Sequence, residues 1–273
     1  MKPDISLRKL LAFLKKDLLI NASYRAAFLF DLINILSSII TFFFIARLFG
    51  GKAAEHLTNY GGDYFSFVLI GIAFSGYMSA GLGSFTEAIS EEQAYGTLEA
   101  IILSPTKIST VLICSSIWKF IFTSFRVIVY LFLGWLFFDL NLSRANLSSS
   151  LIILALTIIS FSALGILSAS FILIFKRGDP LSWLFCGASR LLGGVYFPIA
   201  VLPIWLQKIS FLLPLTYCLE AVRKSLIFGS SAKEILPQIL SLVFFSALLF
   251  PLSIFSFKSA LKKAKRNGSL LYS

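Results

Sequence analysis

Five uninterrupted apolar runs decide most of what this chain can become. Ala26–Leu48, Tyr64–Phe85, Ile108–Phe138, Leu151–Phe175 and Ile235–Phe257 each reach the roughly 20 residues that a helix needs to cross a bilayer. A sixth apolar region, Leu181–Leu213, is interrupted by Gly193, Gly194, Pro198 and Pro203. In hydrocarbon the backbone has no water to bond, so a spanning segment must satisfy its own N–H and C=O groups. Runs of this length do that as helices. With 58% hydrophobic and 14% charged residues, the chain lacks the surface of a soluble domain. The expected fold is an all-α integral membrane protein.

Charge placement sets the expected orientation. Lys2, Arg8, Lys9, Lys15, Lys16 and Arg25 precede the first run, and Lys258, Lys262, Lys263, Lys265 and Arg266 follow the last. Positive flanks face the cytoplasm. Both termini are therefore expected inside, which requires an even number of crossings: six, with the interrupted region counted as one. The connections 49–63, 139–150 and 193–234 then lie outside, and 86–107 lies inside with Lys176 and Arg177. Residues 26–257 form the transmembrane domain and 258–273 a basic cytoplasmic tail, in a plasma (inner) membrane. The first run exceeds the apolar core of a signal peptide, about 7–15 residues, and is expected to remain as a span.

Residues 1–25 are too polar to span. Leu7, Leu10, Leu11, Leu14 and Leu18 share one helical face, with Arg8, Lys9, Lys15 and Lys16 opposite. Such a helix suits the inner headgroup layer, with its cations toward anionic lipid. With a span following directly, lipid is the expected partner and nucleic acid is not.

The acids are placed against this background. Glu87, Glu91, Glu92 and Glu99 gather within one short segment of a chain whose net charge is +11. Gly96-Thr97 reads as a helix break followed by an N-cap, with Glu99 near the positive end of the next helix. Ser104-Pro105 then stops that helix. Punctuation accounts for Gly96, Thr97 and Pro105 but not for four carboxylates. Acids on a cytoplasmic connection suit a basic protein surface, where charge complementarity sets register, so the segment reads as a docking element.

Glu92, Gly96, Thr97, Leu98, Glu99, Ser104 and Pro105 stand in the pattern E-x-x-x-G-T-L-E, four residues of which the middle two are apolar, then S-P, between spans two and three. This resembles the cytoplasmic coupling segment of ABC type-2 exporter permeases. A second block, Gly193 to Leu226, resembles the interrupted fifth-span region of the same family: Phe197-Pro198, Leu202-Pro203 and Pro214-Leu215-Thr216-Tyr217 follow in the same order. The resemblance implies a permease that pairs with a second copy, or with a related permease, and binds two ATP-hydrolysing subunits. It also implies that Glu87, Glu91, Glu92, Gly96, Thr97, Leu98 and Glu99 contact the ATPase. ATP and Mg would sit on that partner, with no cofactor on this chain. Gly50-Gly51-Lys52-Ala53 lacks the spacing and hydroxyl of a phosphate-cradling loop. Related permeases export drugs, polyketides, lipid-linked glycans and other amphiphiles.

Irregular backbone at membrane depth is tolerated only under protein or water. Gly193, Gly194, Pro198, Pro203 and Pro214 therefore predict a re-entrant outer region, which in the resembled family caps the exit path. Within it Thr216–Phe228 reads as an amphipathic helix, with Glu220, Arg223 and Lys224 placed to pair on a wet face. Lys119, Arg126 and Arg190 lie inside apolar runs, with Asp31 as a candidate partner. Embedded cations face protein or a cavity, either as structural pairs or as the lining of a path for an anionic headgroup. Cys114, Cys186 and Cys218 have neither metal nor redox spacing, and no metal site is expected. His56 reads as surface. Asn141-Leu-Ser and Asn146-Leu-Ser match the glycosylation pattern. An intramembrane enzyme would need converging catalytic groups, which one histidine and one embedded aspartate do not supply. A polysaccharide or glycan exporter and a non-transporting scaffold or sensor remain as alternatives.

Overall fold

A computed structural model describes residues 7–53, 57, 60–61, 63–94, 96, 108–175 and 180–266. Among the described residues all regular structure is helical: α1 (Leu7–Ser23), α2 (Arg25–Ala53), α3 (Tyr64–Ala94), α4 (Ile108–Phe137), α5 (Leu147–Phe175), α6 (Pro180–Leu192), a 3₁₀ turn (Ile199–Val201), α7 (Ile204–Ser210), α8 (Pro214–Ile227) and α9 (Leu236–Arg266). Five helices, α2, α3, α4, α5 and α9, are long and apolar enough to cross a membrane. The interrupted region supplies only the 13-residue α6 before its break. At about 1.5 Å per residue, that is roughly 20 Å, short of a hydrocarbon core of about 30 Å.

Two of the long helices begin at side-chain caps. Asp63 accepts from the Phe65 and Ser66 amides at 3.2 and 2.9 Å and from the Ser66 hydroxyl, opening α3. Asn146 accepts from the Ser149 amide at 3.1 Å, opening α5. Both are N-caps that satisfy otherwise unpaired donors. Asn141 instead closes a local turn by accepting from the Ser143 amide and hydroxyl. The second glycosylation-like asparagine thus has a structural task at the head of α5.

α3 is the hub and packs against α2, α4, α5, α6 and α8. In its most apolar window 78% of residues are buried, against 11% for α2 and α9. Small residues let the others approach. A Cβ on Gly81 would sit 2.5 Å from the Phe161 Cβ, and one on Gly165 would sit 2.0 Å from the Gly81 carbonyl oxygen. α3 and α5 thus cross backbone against backbone, the close approach that small residues permit between membrane helices. Phe85, Ile89, Ile108, Leu112, Ile172, Leu173, Phe257 and Leu261 form one apolar cluster where α3, α5 and α9 end and α4 begins.

At the opposite end the other connections converge. The Asn146 amide donates to the Ser225 carbonyl, and the Ser225 hydroxyl donates to the Asn146 carbonyl, at 3.0 and 2.8 Å. Arg223 lies over the Tyr60 ring. The connections after α2, α4 and α8 therefore share one end of the bundle.

α1 and α2 meet at Tyr24, the single non-helical residue between them. α1 packs on α4 and touches α2. Leu10, Phe13 and Leu14 turn partly inward, while Leu11, Leu18 and Leu19 stay exposed. The leucine face is thus divided between the bundle and its surroundings. α9 continues as one helix through Lys258 to Arg266, so the first part of the basic tail extends the last span.

Candidate functional site: a polar cleft along α3

One face of α3 carries Ser75, Ser79, Glu87 and Glu91, with Gly83 between, each four residues from the next. In a helix that spacing draws a single stripe. It faces Ser115, Lys119, Thr123, Arg126 and Tyr130 of α4 across a cleft of about 730 Å³. Ser38 and Phe42 of α2, Arg190 of α6, Tyr196, and Lys16 and Asp17 of α1 complete the lining. Along α3 the lining runs from Ile72 to Glu92, about 30 Å at the helical rise, which equals the hydrocarbon thickness.

The cleft collects the embedded charges. Lys119 pairs with Glu87, and Arg126 Nη2 lies 3.4 Å from Asp31 Oδ1. Arg190 Nη2 donates to Ser79 Oγ at 3.0 Å. A charge at the centre of a bilayer costs about 2.5–3.5 kcal/mol on insertion scales, so it turns to protein or to a water-filled space. All three cations turn into the cleft, where their side chains stay accessible. The Lys119 and Glu87 side chains are 47% and 53% exposed, so this pair stands open to the cleft rather than packed in the core.

The two ends differ. One mouth carries Glu91, Glu92 and Asp17 beside Lys16. Just beyond it α3 ends at Ala94, and Gly96 takes a left-handed turn at φ 68°. The span thus carries Glu87, Glu91 and Glu92 on its own last turns, and Glu87 is engaged by Lys119 inside the cleft. Thr97, Leu98, Glu99, Ser104 and Pro105 lie outside the described residues, as do His56, Lys176 and Arg177. The far end is closed by Phe42 stacked on Tyr196, with ring centroids 5.7 Å apart.

Behind that stack the interrupted region is pinned. α6 ends at Gly193, whose amide donates to the Ser189 carbonyl at 2.7 Å, and Gly194 follows at φ 81°, the left-handed exit that glycine favours. Phe197 lies in the bend after Gly194, Pro198 and Pro203 precede the 3₁₀ turn and α7, and Pro214 opens α8. Ten of the fourteen residues of α8 are buried, and Cys218 accepts from the Thr157 hydroxyl partway along α5.

The expected wet face of α8 is therefore corrected. Glu220 pairs with Lys224 at 2.8 Å and accepts from Gln238 of α9 at 2.9 Å. Arg223 turns inward and is 2% exposed. It donates from Nη2 to the carbonyls of Phe67 at 3.0 Å, Gly194 at 2.8 Å and Val195 at 3.3 Å, and from Nε to Phe67 at 3.2 Å. Its guanidinium stands 3.4 Å from the centroid of the Phe67 ring, a cation–π contact. Gly71 makes room, since a Cβ there would sit 2.4 Å from the Val195 oxygen and 2.6 Å from Arg223 Nη2. Helical spacing put Arg223 beside Glu220, but three main-chain carbonyls, one from the first turn of α3 and two from the bend, are better acceptors for a planar fork than one carboxylate already engaged twice.

The sequence reading missed the serine stripe of α3. Its signal was present: a four-residue polar period inside an otherwise apolar span. No curated protein matches the chain. A model of the ABC-2 type transporter family matches residues 8–227, a range that takes in nearly all of α1, the cleft and the whole of α8. With an all-helical membrane architecture and a polar cleft the depth of a bilayer, the chain belongs to the ABC-2 type transporter family and is a permease component of an ABC transporter.

Proposed function

We propose that this chain is the membrane subunit of an ATP-driven exporter. It moves an amphiphilic or lipid-like substrate outward across the plasma membrane and is powered by two copies of a separate ATPase. Two permease copies assemble around the transport path. The chain crosses six times, with α6 and the bend after it forming the incomplete crossing, and α7 and α8 forming a re-entrant outer element. Both termini and the mouth near Glu91 face the cytoplasm. ATP and Mg are held by the partner.

The observation that carries this reading is the junction of two features on one helix. The face of α3 that lines the cleft ends in Glu91 and Glu92 at its mouth, and both belong to the segment that resembles a coupling element. A partner docked there would push on the wall of the path itself. Co-purification with the ATPase tests this reading. Reversing Glu91, Glu92 and Glu99 together to lysine is expected to weaken recovery of the ATPase at least tenfold, because like charges across an interface cost several kcal/mol and about 1.4 kcal/mol is already tenfold. Undiminished recovery refutes the docking role.

A further inference from the structure

α9 is longer than a bilayer requires. From Leu236 to Phe255 it rises about 30 Å, the thickness of the hydrocarbon core, and toward the end of that rise its outward residues are apolar: Leu252, Ile254 and Phe255 are exposed. From Lys258 onward the outward residues change to cations. Lys258, Lys262, Lys263 and Arg266 are exposed, and Lys258, Lys262 and Arg266, each four residues from the next, draw one stripe. Among the described residues none of these four forms an ion pair. The opposite face stays buried through Phe257, Ala260, Leu261 and Ala264.

The buried face decides what the stripe meets. Phe257, Ala260 and Leu261 share an apolar cluster with Ala169, Ile172 and Leu173 of α5. The extension therefore follows the bundle instead of turning into the membrane plane, where helices that bind the lipid surface lie. Arg266 stands about 16 Å beyond Phe255 along the axis, and the headgroup layer is about 5–8 Å deep. Lipid phosphates reach Lys258, but the stripe outruns them. The same cluster holds Ile89, near the end of α3, and Ile108, where α4 begins. These two residues stand on either side of the stretch that resembles a coupling element. A partner gripping that stretch has the α9 stripe beside it. It meets exposed Glu91 on α3 and exposed cations on α9. Opposite signs leaving one end of the bundle fix a partner's register.

We propose that the stripe of Lys258, Lys262 and Arg266 is a second docking surface for the ATPase, taking an acidic face of that subunit while the end of α3 takes a basic one. This deepens the permease reading and rests on it. The full chain, co-purified with its ATPase in neutral detergent, is treated with a zero-length carbodiimide, which joins an amine to a carboxylate only when the two are in contact. Lys258, Lys262 or Lys263 is expected to be recovered by mass spectrometry linked to an aspartate or glutamate of the ATPase. Lys262→Glu with Arg266→Glu is expected to lower recovery of the ATPase at least tenfold, with Lys258, Lys263 and Lys265 left in place to hold the topology. Reversing the linked ATPase carboxylate to lysine is expected to restore it. Absence of any such link overturns the proposal, as does undiminished recovery with the double variant. Recovery that falls in phosphatidylglycerol nanodiscs but not in neutral detergent assigns the stripe to lipid and also overturns it. The link is read on the unaltered chain, so it decides the matter even if the double variant does not fold. No ATPase recovered with the unaltered chain sinks both readings. Recovery that depends on Glu91, Glu92 and Glu99, with no link at α9, sinks only the second surface.

Discussion

The crossing of α3 and α5 makes the sharpest quantitative claim. A Cβ on Gly165 would lie 2.0 Å from the Gly81 carbonyl oxygen and 2.8 Å from Phe85 Cδ2. Carbon contacts this close do not occur, so in Gly165→Ala the two helices must part by about 1 Å. A gap of that size forfeits a quarter to a half of each van der Waals well along the seam. Overpacking of a well-filled core costs about 1–3 kcal/mol, and a clash with backbone falls at the upper end. Alanine returns up to about 1 kcal/mol of helix propensity, for a net loss of about 2 kcal/mol. Gly187, also mid-helix, has open space around its Cβ position, so Gly187→Ala keeps the propensity gain without the clash. Thermal unfolding of the purified full chain, followed by tryptophan fluorescence, should show the two variants moving in opposite directions. Gly165→Ala should fall by about 4–8 °C, at about 2–4 °C per kcal/mol for a chain of this order of size. A Gly165→Ala melt at or above wild type, or an equal drop for Gly187→Ala, would show that the seam is not set by contact at glycine.

Arg223→Met should loosen the bend at Gly194. It leaves the Gly194 and Val195 carbonyls without the arginine, at about 1–3 kcal/mol for each acceptor left unsatisfied, so protease cleavage near Ile199–Val201 should rise at least tenfold; unchanged cleavage refutes the pin. Asp63→Ala should remove the α3 N-cap and lower stability by about 1 kcal/mol, while Asp63→Asn should recover most of it. Equal losses for the two would mean that charge, not capping, is what Asp63 supplies.

Periodic features were legible in the sequence and features made by distant backbone were not. The long apolar runs placed the starts of α2, α3, α4, α5 and α9 to within a few residues, while α3 and α9 run on as helices well past the ends of their runs, and Gly193, Gly194 and the prolines marked where the interrupted region breaks. Asp31 as a partner for an embedded cation followed from scarcity, since few acids lie within the spans. Arg223 was misplaced because its acceptors are main-chain oxygens of Phe67, Gly194 and Val195, which one-dimensional spacing does not reveal. The Lys119–Glu87 pair was hidden for a related reason. Glu87 was grouped with the acids around Gly96, although α3 continues unbroken past it and turns it back toward α4.

α3 contains no proline and touches five other helices, three of which line the cleft. A rod of this kind transmits displacement without bending. Force applied beside Glu91 would reach Gly71, where the rod meets Val195 and Arg223, with little loss along the way. Tilting the rod would widen the groove at one end as it narrows the other. The shape of the space would then alternate with whatever pushes on the acidic tip, and no hinge within the rod is required.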